Sequence, residues 1–221
     1  MRGNSNSCHL LSQTANIIGE NVSEVRRNKP NIQDGKIDFP AHFVYPVLID
    51  FMIKTFQNLT PRIHETAFIA DNAIVVGDVE IGAESSIWYG SILRGDVNFI
   101  RIGARTNIQD MTMIHVSRHD LPTVVEEDVT IGHRVTLHGC FVGQGALIGI
   151  GATLLDGVSV GANSLVAAGS LITPNTQIPE RSFVLGAPAR VKRELTDDEI
   201  EKIHENCRNY VSLSKIYLES R

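Results

Sequence analysis

The chain has 221 residues, 43% of them hydrophobic, and a formal net charge of −5. Nucleic-acid-binding proteins usually carry a basic face, so this charge argues against nucleic acid as a partner. The longest apolar stretch, Phe43 to Ile53, is interrupted and too short for a membrane helix of about 20 residues, which argues against a membrane partner.

The three cysteines, Cys8, Cys140 and Cys207, are odd in number and far apart, so they do not outline a disulfide framework. Free thiols are typical of a reducing compartment. The first residues also lack the charged-then-apolar layout of a signal peptide. A cytoplasmic location is therefore predicted.

Residues 1–51 are polar and lack a clear hydrophobic period. A second methionine, Met52, stands shortly before the first repeat. We therefore expect residues 1–51 to be an N-terminal extension that is disordered or follows a misassigned start. The rest of the chain is expected to divide into a β-helix domain, residues 52–190, and an amphipathic helix, residues 191–221.

Aliphatic residues recur at every sixth position in four blocks, and a small or β-branched residue usually stands two positions earlier. Because strand side chains alternate, both positions face inward. Short strands joined by tight corners fit this period, whereas a β-sandwich does not keep one period over about a hundred residues. The blocks are Ile63, Ile69, Val75, Ile81, Ile87 and Leu93; Ile102, Ile108 and Ile114; Val125, Ile131 and Leu137; and Val142, Ile148, Leu154, Val160, Val166 and Ile172.

These hexads predict an all-β fold, a left-handed parallel β-helix from about Pro61 to Pro188. Three hexads per coil make about six coils of a triangular prism. Glycines that follow the inward aliphatics are expected to supply the corner conformations. Three prolines, Pro174, Pro179 and Pro188, are expected to break the period. After them, a capping box over residues 196–199 predicts a C-terminal α-helix that covers an apolar face of the prism.

Counting hexads places three outward residues, Arg94, His115 and His138, in one slot of three successive coils. The 23 positions from His115 to His138 include a five-residue loop, which leaves 18, the length of one coil. Their Cα atoms should therefore lie about 5 Å apart. Two imidazoles at that distance can share one metal ion. The alternative is that they only stack on a β surface.

A third histidine, His133, lies two positions past Ile131, around a corner from His138. Within one chain it reaches the same ion only with strain, so a neighbouring prism is expected to supply it. Threefold closure of such contacts predicts a homotrimer. In the same column, one coil earlier, Asp110 could orient His133 or pair with Arg94 of a neighbour.

The sequence resembles the γ-class carbonic anhydrases of the hexapeptide-repeat superfamily over most of residues 63–188. The motifs that carry the resemblance are Leu93-Arg94-Gly95-Asp96, Asn107-Ile108-Gln109-Asp110, Ile114-His115, Ile131-Gly132-His133 and Leu137-His138-Gly139. Generic hexapeptide proteins share the repeat but not this set.

The resemblance implies a homotrimer with three metal sites at subunit interfaces. His115 and His138 would come from one chain and His133 from the next. The implied metal is zinc, although iron or cobalt also suits three imidazoles. The implied activity is the reversible hydration of carbon dioxide to bicarbonate by a metal-bound hydroxide.

The resemblance also implies roles for the residues around the metal. Gln109 would bind the hydroxide or the bicarbonate, and Asn107 would help to place it. Arg94 would contact the substrate and would form interface ion pairs together with Asp96 and Asp110.

Two positions depart from the family pattern. The best-known active member carries acidic residues where this chain has Val97 and Arg118. The proton shuttle therefore needs another group, and His119 is a candidate because its unperturbed pKa lies near neutrality. The alternative is that His119 is an idle loop residue.

Two other functions stay open. The first is an acyltransferase or thioesterase acting on coenzyme A thioesters, which typically uses one catalytic histidine and a long loop, whereas the loop here, Val116 to Val124, is short. The second is a non-catalytic assembly subunit. The complete set of metal-ligand histidines argues against it, and the absence of acidic residues at Val97 and Arg118 argues for it.

Overall fold

The computed structural model of the chain describes residues 52–118 and 121–220, together with the backbone of Asn31–Gln33 (β1) and Lys36–Asp38 (β2). The chain divides into two units, residues 1–47 and 48–221. In the first unit β1 and β2 pair antiparallel. Apart from these strands, the expectation that residues 1–51 are disordered or a misassigned start lies outside the described residues.

The second unit is a parallel β-helix of about seven turns, followed by the helix Asp197–Glu219 (α1). Its strands form three faces. Face A contains β3 (Ile53–Lys54), the first part of β6 (Ile74–Ile81) and of β8 (Ile92–Ile102), β10 (Met113–His115), β13 (Thr136–His138), β16 (Thr153–Leu154) and β19 (Leu171–Ile172).

Face B contains β4 (Arg62–Ile63), the later parts of β6 and β8, β11 (Thr123–Val125), β14 (Phe141–Val142), β17 (Ser159–Val160) and β20 (Gln177–Ile178). Because β6 and β8 run around the edge between them, faces A and B form one 12-stranded sheet. Face C is an 8-stranded sheet of β5 (Phe68–Ile69), β7 (Ser86–Ile87), β9 (Asn107–Ile108), β12 (Thr130–Ile131), β15 (Leu147–Ile148), β18 (Leu165–Val166), β21 (Ser182–Gly186) and β22 (Ala189–Glu194).

The core consists of the two inward positions that the hexads predict. Every predicted aliphatic from Val75 to Ile172 is at most 3% exposed. The small residues two positions earlier are buried with them, and most of their hydroxyls bond to a backbone carbonyl of the next coil. Ser85 Oγ, for example, donates to Gly103 O at 2.6 Å, and Ser91 Oγ donates to Gln109 O at 2.9 Å. The prism interior is thus mainly apolar, and Ser170 Oγ is a buried hydroxyl without a partner among the described residues.

The role predicted for the corner glycines is wrong. The glycines after Ile81, Ile102 and Ile131 do not have a positive φ. Instead, a Cβ on Gly103 would lie 2.4 Å from Glu127 N in the next coil, so these positions need glycine for close backbone approach. The left-handed conformation falls two residues after each of the five corner glycines, on Gly151 and on four larger residues: Glu84, Arg105, Arg134 and Asn163.

The prolines do not end the repeat as expected. Ile178 and Val184 continue the six-residue period and are at most 5% exposed, in β20 and β21. Proline lacks a backbone N–H, but a corner position does not need one for the strand ladder. The β-helix therefore gains a seventh turn, and residues 189–194 add an antiparallel strand where a helical segment was expected.

The C-terminal helix begins at the predicted capping box. Thr196 Oγ1 accepts a hydrogen bond from the Glu199 backbone N–H, and the Glu199 carboxylate accepts one from the Thr196 N–H at 3.0 Å. The buried side of α1 packs on face C and includes Ile200, Ile203 and Cys207. Within residues 52–118 and 121–220, no helix is long and apolar enough to span a bilayer.

Candidate metal centre

The predicted column of outward side chains lies on face A, next to its edge with face B. Arg94 is paired in register with His115, and His115 with His138, in the parallel strands β8, β10 and β13. Because the inward neighbour of each residue is a buried aliphatic, the alternation of the strand turns all three side chains outward. The order that hexad counting predicts is therefore present.

The two histidines of this column face each other with one ring nitrogen each. His115 Nδ1 lies 3.1 Å from His138 Nε2, and the ring centroids are 5.1 Å apart. A tetrahedral ion with Zn–N distances of 2.0–2.1 Å holds two ligand nitrogens about 3.3 Å apart. The pair therefore fits two ligands of one metal ion with little adjustment of either ring.

Each histidine places its second ring nitrogen against a carboxylate. His115 Nε2 lies 3.0 Å from Asp96 Oδ1, and His138 Nδ1 lies 2.5 Å from Asp156 Oδ1. This arrangement is typical of metal-ligating histidines, because a carboxylate on the outer nitrogen fixes the tautomer and the orientation of the ring. The donor set is thus suited to a metal on the side where the rings meet.

Asp96 also forms an ion pair with Arg94 of the same chain. Partial burial raises the pKa of the Asp96 carboxyl, but the hydrogen bonds from His115 and Arg94 more than offset it, so the pKa lies below its ordinary value. The carboxylate is therefore ionised at neutral pH and available to His115. The expected roles of Arg94 in substrate binding and of this pair at an interface stay predictions.

His133 lies elsewhere, on the edge between faces C and A. Its Nδ1 is 2.9 Å from Asp110 Oδ2, so within the chain Asp110 orients His133, one of the two partners expected for that carboxylate. Among the described residues, no group of three histidine, cysteine or acidic side chains could hold a metal ion. The structure therefore brings together two of the three predicted ligands and places the third on another edge.

Gln109 and Asn107 lie on face C and are buried. Gln109 Nε2 donates to Asn107 Oδ1 at 3.1 Å, and Asn107 Nδ2 donates to Thr130 Oγ1 at 2.9 Å, with Cys207 Sγ of α1 at 3.9 Å. These amides are on the side of the chain that carries His133. The third predicted catalytic residue, His119, lies outside the described residues.

Asp156 is the functional candidate that sequence reasoning missed. It lies on the turn after β16, one coil beyond His138, and the same counting that aligned the histidines could have found it. The signal is weak because the loop between His138 and Val142 shortens the coil by one residue, which shifts Asp156 one place past the column.

The two described cysteines are not candidates for metal ligands. Cys140 and Cys207 are free and buried. Burial raises the pKa of the Cys140 thiol to about 12 and that of Cys207 to about 11, so both stay protonated at neutral pH.

Comparison with known proteins relates the chain to one family of β-helix proteins. The family described as bacterial transferase hexapeptide (six repeats) matches residues 139–174. A carbonic anhydrase from Geobacillus kaustophilus is 43% identical over 75% of this chain and 91% of its own length. The mitochondrial gamma carbonic anhydrase 2 of Arabidopsis thaliana is 48% identical over 74% of this chain. This chain spans 62% of the length of that plant protein.

The solved structures agree at the level of the fold. The crystal structure of a hexapeptide transferase family protein from Anaplasma phagocytophilum matches with a TM-score of 0.72 and 40% identity, over 75% of this chain and 98% of that one. The match to the bacterial carbonic anhydrase covers almost the whole length of that protein. The chain belongs to the γ-class carbonic anhydrase family of hexapeptide-repeat proteins.

Proposed function

We propose that this protein is a metal-dependent lyase that catalyses the reversible hydration of carbon dioxide to bicarbonate. The observation that carries the proposal is the pair of facing nitrogens, His115 Nδ1 and His138 Nε2, at 3.1 Å. The bacterial and plant relatives named as carbonic anhydrases support the same reaction.

The proposed metal is zinc, with iron or cobalt as alternatives that imidazole ligands also accept. When bound, such a divalent ion supplies a Lewis acid that activates water near neutral pH. His115 and His138 would hold it through their facing nitrogens. Asp96 and Asp156 would keep the two rings in place from behind.

The third ligand is proposed to be His133 of a neighbouring subunit in a homotrimer. Support comes from its position: it lies on the edge between faces C and A, whereas the facing pair lies near the edge between faces A and B. In a closed ring of three chains, the C–A edge of each chain can pack against the A–B edge of the next. Every His133 then meets a facing pair of a neighbouring chain.

Gln109 and Asn107 are proposed to reach the site together with His133. The Gln109 backbone N–H donates to Ile131 O at 2.9 Å, and the next residue, Asp110, pairs with His133. The Gln109 amide would then orient carbon dioxide or bicarbonate, and Asn107 would hold that amide. Arg94 would approach the substrate from the other subunit.

Transfer of an acyl group from a coenzyme A thioester is the competing function, because the matched Anaplasma phagocytophilum protein is described as a hexapeptide transferase family protein. Transferase chemistry needs one basic histidine rather than a carboxylate-backed pair. A non-catalytic assembly subunit would retain the fold and would not catalyse the reaction.

The cytoplasmic location stays a prediction, since the plant relatives are named as mitochondrial.

Metal analysis combined with stopped-flow carbon dioxide hydration tests the proposal. We expect one zinc per chain and hydration that a chelator abolishes and zinc restores. A zinc-loaded protein without hydration activity would favour the assembly subunit. Acetyl transfer from acetyl coenzyme A by the metal-free protein would favour the transferase.

A further inference from the structure

The carboxylate behind His138 belongs to a different coil from that histidine. Asp156 Oδ1 lies 2.5 Å from His138 Nδ1, and about a third of each side chain is exposed. Within residues 52–118 and 121–220, the Asp156 carboxylate forms no hydrogen bond or ion pair with any other side chain. No arginine or lysine side chain therefore explains the placement of Asp156, whereas Arg94 partly explains that of Asp96.

The backbone makes room for this carboxylate. Gly139, directly after His138, has a φ of +53°, and a Cβ at this position would lie 2.7 Å from Asp156 Oδ1. The same Cβ would lie 3.2 Å from the Leu121 Cβ, so the side chains around it could yield little space. A residue larger than glycine would displace the carboxylate from His138.

We infer that Asp156 is a positioning residue that fixes the tautomer and the ring orientation of His138. This inference rests on the proposed function. An ionised carboxylate only accepts hydrogen bonds, so the proton of the neutral imidazole must sit on Nδ1. The lone pair of Nε2 then points at His115, on the side where a metal would bind. Without Asp156 the proton can move to Nε2 and the ring can turn.

Zinc affinity of the purified full-length protein, measured by competition with a chelator, tests this role. We expect Asp156→Ala to weaken zinc binding by about 10–100-fold, the usual effect of removing such a partner. The zinc affinity of Asp156→Asn should fall between those of the parent and Asp156→Ala, because the amide oxygen can still accept a hydrogen bond from the His138 Nδ1–H. Asp128→Ala is the matched control: it removes a similarly exposed, paired carboxylate, bonded to Arg105, and should leave zinc affinity unchanged.

Gly139→Ala tests the same contact without touching the carboxylate. It should weaken zinc binding like Asp156→Ala, and the double variant should be no weaker than either single one. Additive losses in the double variant would contradict a shared mechanism.

A spectroscopic measurement on the metal-free protein is independent of metal binding and of turnover. The side-chain nitrogen resonances of His138 should show the proton on Nδ1 in the parent and a mixture of tautomers in Asp156→Ala. A parent with the proton on Nε2, or an Asp156→Ala variant with parental zinc affinity, would overturn the inference. A parent that binds no zinc would contradict the proposed function instead, and the tautomer would still decide the role of Asp156.

Discussion

Each histidine of the facing pair uses its two ring nitrogens differently. The inner nitrogens of His115 and His138 meet at 3.1 Å, while the outer nitrogens are held by Asp96 and Asp156. A neutral imidazole has one donor and one acceptor nitrogen, so a carboxylate on one side decides the chemistry of the other. The two carboxylates behind the histidines therefore determine the chemistry of the site as much as the histidines do.

The proton released in hydration must reach solvent, and His119 is the predicted carrier. Replacement by alanine should lower steady-state hydration by about 10²-fold or more while zinc content stays constant, since general acid–base groups typically contribute that much. External imidazole buffer should restore part of the rate. Identical rates for His119→Ala and the parent at every imidazole concentration would show that His119 is an idle loop residue.

The corners of the prism determine how closely neighbouring coils stack. Gly103 faces a backbone nitrogen, since its Cβ would lie 2.4 Å from Glu127 N, whereas a Cβ on Gly151 would meet nothing within 4 Å. Gly151 nevertheless has a φ of +68°. Gly103 is therefore required for steric reasons, whereas Gly151 is required for its backbone conformation.

This difference predicts the effect of alanine on stability. Gly151→Ala should cost about 1–2 kcal/mol of unfolding free energy, the strain of a left-handed residue. Gly103→Ala should cost more, beyond the upper end of the roughly 1–3 kcal/mol typical of overpacking, because the clash is with backbone. Thermal unfolding of the two variants measures the order. An equal or reversed order would contradict the close-approach explanation.

The cap of α1 predicts a dependence on pH. Hydrogen bonds from Arg193 and from the Thr196 N–H lower the pKa of Glu199 from 4.5 to about 2. A carboxyl whose pKa is lowered by folding stabilises the fold at pH values above its pKa in the unfolded chain. That contribution is lost as the pH falls toward its pKa in the folded protein. The contribution of Glu199 should therefore be complete above pH 4.5 and disappear toward pH 2.

This effect is measured by the free energy of unfolding of Glu199→Gln and of the parent at a series of pH values from 7 to 2. The variant should be less stable than the parent at pH 7, and the difference should shrink as the pH falls. Asp198→Asn is the control, because Asp198 lies in the same first turn without the cap hydrogen bonds. Parallel pH profiles for Glu199→Gln and the parent would contradict the lowered pKa.

The periodic elements could be predicted from sequence because each inward position obeys one simple rule of burial. The same counting placed His115 beside His138, and the capping-box motif predicted the helix cap at Thr196. It failed where backbone geometry decides, as at Gly103, and where a bonding partner comes from a shifted coil, as with Asp156. Pro174 and Pro179 predict an end to the repeat after six turns, but the structure has a seventh, because a corner tolerates proline.

The prism and α1 belong to one unit, which contains every described residue of the candidate site. The chain divides into two units between residues 47 and 48, and the expected boundary at Met52 stays a prediction. We predict that a chain of residues 52–221 keeps the trimer, the zinc stoichiometry and the thermal midpoint of the full chain. Light scattering and metal analysis measure this, and loss of trimer or zinc would show that the first 51 residues are structural.

We propose that two chains complete each metal site, with His115 and His138 from one and His133 from the other. Mixing two variants tests this shared site. His115→Ala and His133→Ala proteins, each without zinc sites of its own, are unfolded together at equal amounts and refolded with zinc. If sites form between chains of a closed trimer, about a quarter of them regain all three histidines, and bound zinc and hydration rise to that fraction of the parent. If each site lies within a single chain, mixing restores neither zinc nor activity, and the claim is wrong.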